Sequence, residues 1–117
     1  MDIRLNNTSQ LAAFTKARDL PFFLQELLGV EYRHELLLAP TQDMLKRYRR
    51  KGGTWEEYEN AFLSLMAERR IESSVDRDLF TGKPVLLCSE PTAEHCHRRL
   101  VAEYLQEKWK DVEIRHL

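Results

Sequence analysis

An α/β fold, with a mainly parallel sheet of about four strands flanked by helices, is what this sequence predicts. Three observations predict it. Short apolar or alternating segments are separated by helical ones along the chain. The run Val85-Leu86-Leu87-Cys88 is continuously apolar and lies between Pro84 and Pro91, the pattern of a strand buried on both faces. A helix follows it almost at once and opens with His95, Cys96, His97, Arg98 and Arg99.

Asp2 to Leu5 is a short candidate strand, and Asn6-Asn7-Thr8-Ser9 a polar turn. Ser9 is a good N-cap for a short helix through Lys16, because its hydroxyl can accept an otherwise orphaned N–H. Asp19 caps the next helix. Pro21 sits in its first turn, where a missing N–H costs little, and Gly29 is placed for its C-terminal cap. The alternation Val30, Tyr32, His34, Leu36 reads as a strand within residues 30–38. A helix is expected from Ala39-Pro40-Thr41 through Arg50.

Lys51-Gly52-Gly53 is the clearest break in the chain. Thr54-Trp55-Glu56-Glu57 fits a capping box. Behind it Trp55, Tyr58, Phe62, Leu65, Met66 and Arg69 follow helical spacing and form a core-facing stripe. Residues 72–82 read as polar and irregular. Thr92 is positioned to cap the final helix. In that helix Cys96, Leu100, Tyr104 and His97, Val101, Leu105 form two rows at spacing four, with Trp109 at the far end. Arg99 aligns with Glu103 on a solvated side. Val112 to Leu117 alternates and reads as a last strand.

The 117 residues support one domain, 1–117, large enough to bury roughly two thirds of its unfolded surface. A net charge of -1 gives no global basic excess toward nucleic acid and no acidic excess toward disorder. There is no run of eighteen apolar residues to span a membrane and no signal-peptide core. Two cysteines in such a chain read as cytoplasmic thiols, not a disulfide framework.

The chemistry concentrates late. Both cysteines and two of the four histidines fall between positions 88 and 97. In a parallel sheet, ligands sit beyond strand C-terminal ends, beside helix N-termini. The thiols of Cys88 and Cys96, the carboxylate of Glu90 and the imidazole of His97 are therefore the candidate catalytic groups, in a crevice attractive to an anion. Arg4 and Arg98 are candidate anion-binding residues. Asp2 and Arg4 share a strand face, where buried charges need partners. Cys88 reads either as a nucleophile with a lowered pKa or as a small buried residue at a strand end. Glu90 reads equally as proton carrier or as anchor for an arginine. The Cys-x5-Arg phosphate loop is absent, because the sixth residue after Cys88 is Glu94. Structural zinc sites pair ligands two to four apart, and Cys88 to Cys96 is a longer gap. No metal and no cofactor is therefore assigned, although His34 or His116 would complete a set of four. The run Lys46-Arg47-Tyr48-Arg49-Arg50-Lys51 could follow a phosphate backbone. Its simpler reading is a solvated helix face.

Several segments together resemble the DUF488 family. They are Leu86-Leu87-Cys88-Ser89-Glu90, His95-Cys96-His97-Arg98-Arg99-Leu100-Val101-Ala102-Glu103-Tyr104-Leu105, the terminal Ile114-Arg115-His116-Leu117 and the upstream Asp2-Ile3-Arg4-Leu5-Asn6-Asn7. Ser9-Gln10-Leu11-Ala12, Tyr32, His34 and Leu38-Ala39-Pro40 fit its middle. The resemblance covers essentially the whole chain. It implies an α/β fold and a site built from Asp2, Arg4, Glu90, Cys96, His97 and Arg98, but no established reaction. Family members usually carry a further strand and helix before the Asp-x-Arg strand, at which this sequence starts. Their absence would leave the sheet with an uncovered edge or without a central strand, and an exposed edge implies a homodimer; the alternative is a truncated product or domain.

The expected function is that of an enzyme binding a small phosphate-bearing or nucleotide-like anion at this crevice. The alternative is a non-catalytic module that binds nucleic acid or protein through segment 46–51. A third possibility is a structural dimer whose polar site only stabilises a turn.

Overall fold

The computed structural model describes residues 1–5, 25–26, 29, 31–49, 52–88 and 95–116. The expected elements at 9–16 and at the start of the helix after Asp19 fall outside them, as does Thr92; the final helix it was expected to cap starts instead at His97, with Cys96 as its N-cap.

Four helices organise the described chain: α1 (Gln42–Arg49), α2 (Trp55–Arg69), α3 (Ile71–Ser74) and α4 (His97–Trp109). Short 3-10 turns occupy Leu36–Leu38 and Arg77–Phe80. The helix α2 starts as its sequence dictates. Thr54 accepts the Glu57 N–H at 3.2 Å and caps α2, a contact worth about 1 kcal/mol. Gly52 ahead of it has φ +68°. Gly53 donates to the Arg47 carbonyl at 3.0 Å, and a Cβ there would stand 2.9 Å from that oxygen. Only glycine closes the α1–α2 turn so tightly. Gly29, also at positive φ, donates to Gln25 as a C-terminal glycine should.

The apolar stripes of α2 and α4 face each other. Tyr58, Phe62 and Met66 from α2 meet Leu100, Val101 and Leu105 from α4, and Ile3, Leu38, Ile71 and Val75 complete the core. Burying each of the larger side chains contributes roughly 1.5–3 kcal/mol, and this helix pair supplies most of the core among the described residues. Trp109 closes the far end, its indole N–H on the Glu72 carbonyl at 3.2 Å.

The expected parallel sheet of about four strands is not what forms. The described residues are 57% helix and 3% strand, with no sheet. The parallel sense survives only as two isolated bridges, Asp2 with His34 and Asp2 with Leu87. Residues 1–3 run between 33–35 and 85–87, tied by Asp2 N–H to Arg33 (2.7 Å), Glu35 N–H to Asp2 (2.9 Å), Ile3 N–H to Leu87 (3.1 Å) and Leu87 N–H to Met1 (2.8 Å).

Side chains stop these bridges from growing into ladders. The Asp2 carboxylate accepts the backbone N–H of Arg4 at 3.1 Å. The His34 ring takes the Arg4 carbonyl at 2.7 Å. Both main-chain groups that would extend the ladder are thus already bonded. On the neighbouring segment Glu35 accepts the Leu37 N–H, turning the chain into the 3-10 turn. Val85, expected to be buried on both faces, is 58% exposed. Residues 112–116 form no strand. Residues 72–82, expected to be irregular, contain the end of α3 and a 3-10 turn.

Candidate functional site

Cys88 follows the Leu87 bridge and Cys96 is the N-cap of α4, accepting the Arg98 N–H at 3.4 Å. His97 is the first residue of that helix, 6% exposed, with its ring edge-on to Phe62 at 5.5 Å. Its Nε2 lies 2.8 Å from the Ile3 carbonyl. A carbonyl oxygen can only accept, so the proton is on Nε2, and in the neutral ring Nδ1 offers a lone pair. That lone pair faces Cys88 Sγ at 3.5 Å. Cys96, 1% exposed, donates its thiol proton to Cys88 Sγ at 2.8 Å. The result is an ordered chain of donors: Cys96 S–H to Cys88, Cys88 S–H to His97 Nδ1, and His97 Nε2–H to Ile3. The bond to Cys88 and burial both push the Cys96 thiol pKa up, so Cys96 stays protonated. The two sulfurs and a ring nitrogen of His97 lie within 4.8 Å of one another.

Beside this cluster a cavity of about 50 Å³ is lined by Arg4, Leu5, Pro40, Leu45, Arg49, Cys88 and His97. It has room for more than one water molecule. On the other side of Leu45 and Arg49 stands an aromatic wall in which His95 stacks on Trp55 at 5.1 Å and Trp55 on Tyr58 at 5.2 Å.

The predicted site residues do not all converge. Cys88, Cys96 and His97 meet directly. Arg4 lines the cavity while bonded to Asp2. Asp2 itself is buried and turned to its own partners, Arg4 and Tyr32. Burial acts to raise its pKa, but the hydrogen bonds from Arg4 and Tyr32 outweigh that and hold the carboxyl below the usual carboxylate range. Arg98 is half-buried in the first turn of α4 and is not among the residues lining the cavity. Glu90 lies outside the described residues.

Two contributors were missed. Arg49 was read as part of the basic run, yet it lines the cavity. Its spacing of four from Leu45, another lining residue, was the available signal. Tyr32 donates to Asp2 at 2.5 Å. It stands two residues from His34, which bonds Arg4, so the alternation seen in the sequence marked the residues that meet the Asp2–Arg4 pair. Of the remaining basic run, Lys46 and Arg47 are exposed, and Arg47 pairs with Asp43 at 3.0 Å. Arg50 and Lys51 lie outside the described residues.

The fold and the site together define a mainly helical protein in which two thiols and an imidazole meet at a helix N-terminus, beside a cavity lined in part by Arg4 and Arg49. The chain belongs to the DUF488 family, a domain of unknown function, whose model matches residues 1–105. No curated protein and no solved structure matches it. Among the described residues no helix is long and apolar enough to cross a membrane.

Proposed function

We propose that this chain is an enzyme that binds a phosphate-bearing, nucleotide-like ligand between Arg4 and Arg49 and presents the Cys88–Cys96–His97 cluster to it. The observation that carries the reading is that Arg4, Arg49, Cys88 and His97 line one cavity. A guanidinium fork matches phosphate oxygens with two parallel N–H bonds; the Nε and Nη2 of Arg4 are already on Asp2, so Arg4 contributes its charge. The N-terminus of α4 adds partial positive charge nearby. In the metal-free protein His97 Nδ1 is the proton acceptor, since Nε2 is committed to Ile3, and Cys88 is the sulfur on the cavity wall.

The test is calorimetric titration of the full chain with inorganic phosphate and with adenosine monophosphate. Binding weakened about tenfold or more by Arg49→Ala, and unchanged by Arg47→Ala, supports the reading, since a charged hydrogen bond contributes roughly 1.5–3 kcal/mol. Equal binding by wild type and Arg49→Ala, or none by either, rejects it. A nucleic-acid module on segment 46–51 is the weaker reading. Arg47 is already paired with Asp43 while Arg49 lines the cavity, so these charges do not present one stripe.

A further inference from the structure

We infer that Cys88, Cys96 and His97 form a three-ligand site for a thiophilic divalent cation, zinc(II) first. The eight-residue gap that told against a metal in the sequence is bridged by the fold. The two sulfurs and the ring nitrogen already lie within 4.8 Å of one another, converging from two segments. Ideal zinc bonds of about 2.3 Å to sulfur and 2.0–2.1 Å to nitrogen put tetrahedral S and N ligands about 3.5 Å apart. Cys88 Sγ and His97 Nδ1 are 3.5 Å apart. The two sulfurs, at 2.8 Å, must open to about 3.8 Å for the same geometry.

Two further observations point to a cation. The bond from His97 Nε2–H to the Ile3 carbonyl fixes the ring with Nδ1 inward, the outer-sphere arrangement that metal-binding histidines use. The Arg98 N–H already bonds Cys96 Sγ at 3.4 Å, and it would stabilise that sulfur once it is a thiolate. On ligation each thiol gives its proton to solvent. One dication, two thiolates and a neutral imidazole then sum to zero charge, which suits a largely buried position. Two sulfurs and one nitrogen select zinc over oxygen-seeking magnesium or calcium. Cys88 and His97 also line the cavity of Arg4 and Arg49, so the fourth position opens toward the proposed anion, as in catalytic zinc sites. That last point rests on the cavity being the ligand site; the binding of the cation does not.

The experiment titrates metal-stripped full-length protein with cobalt(II), followed by zinc(II). The expected result is saturation at one equivalent with a thiolate-to-cobalt charge-transfer band and visible bands of tetrahedral intensity, both bleached by zinc. Cys88→Ser and His97→Gln should weaken cobalt binding beyond the roughly 10–100-fold that losing an outer partner costs. Arg49→Ala should bind cobalt as wild type does. Wild-type protein with no thiolate band overturns the site, whatever the variants do. If that protein still binds phosphate, only the cation is lost. If cobalt binds and phosphate does not, the cation stands and the anion reading falls.

Discussion

Asp2 and Arg4 are two positions apart and joined three times: Asp2 Oδ1 accepts the Arg4 backbone N–H at 3.1 Å and its Nε–H at 2.9 Å, and Oδ2 accepts Nη2–H at 2.8 Å. Both side chains are buried. The pair does two jobs at once. It neutralises two charges inside the protein, and it ends the bridge region by occupying the Arg4 main chain. Removing one partner leaves the other charge buried without its counter-ion, which typically costs about 3–5 kcal/mol. Arg4→Met should therefore lose about that much stability in urea unfolding. The double variant Asp2→Leu/Arg4→Met should recover part of it. A loss below about 1 kcal/mol for Arg4→Met would show the pair to be structurally dispensable.

The same pair sets a pH response. The folded pKa of Asp2 is depressed below its ordinary 3.8. A depressed carboxylate contributes stability that is fully present above the unfolded value and lost as pH falls through the folded one. Thermal melts of wild type and Asp2→Asn should differ by a constant amount from pH 7 to about pH 5 and then converge below about pH 4. A difference that persists unchanged to pH 2.5 contradicts the assignment.

The two thiols should differ in accessibility. Cys96 is sealed at the α4 N-cap and held protonated, whereas Cys88 is part-exposed on the cavity wall. In metal-stripped native protein, iodoacetamide should label Cys88 about tenfold faster or more, because thiol reactivity follows exposure and thiolate fraction. Peptide mass mapping of a time course reads this out, and equal labelling of both thiols would refute it.

Phe62 links core to cluster, packing fully buried between α2 and α4 with the His97 ring against it. Phe62→Ala should cost about 3–5 kcal/mol. Phe62→Leu should cost less, yet it removes the ring that His97 leans on. Its imidazole resonances in NMR should move more than those of His116. Unchanged His97 shifts in a folded Phe62→Leu protein would refute the link.

Lys110 ends α4 in the left-handed region, φ 66°, with its N–H on the Gln106 carbonyl. A side chain there costs about 1 kcal/mol relative to glycine. Lys110→Gly should raise the melting temperature slightly, by about 0.5–1 kcal/mol of stability; a lower melting temperature would contradict it.

Helices were readable in the sequence because their signals are local. Thr54 with Glu57, the Phe62–Met66 stripe and the rows from Cys96 and His97 are all set within a few turns. Strands were over-read for the opposite reason. Val85-Leu86-Leu87-Cys88 has the right composition, but pairing depends on what lies alongside. Asp2, His34 and Glu35 spend backbone partners on side-chain bonds that no periodicity reveals. The site was half legible. Clustering of Cys88, Cys96 and His97 could be seen in the chain, but Cys88 follows the Leu87 bridge, so its meeting with the α4 N-terminus is set by the tertiary fold. Arg49 could not be tied to them, since its charged neighbours masked its place in the Leu45 row. The Ile3 carbonyl that orients His97 carries no side-chain signal at all.

That carbonyl lies 94 positions from the ring it holds. During synthesis the first residues leave the ribosome long before α4 exists, and the imidazole has nothing to fix its tautomer until both have emerged and met. The dithiol cluster therefore cannot mature before both segments are free of the ribosome, and a nascent chain stalled before residue 97 carries Cys88 as an ordinary thiol.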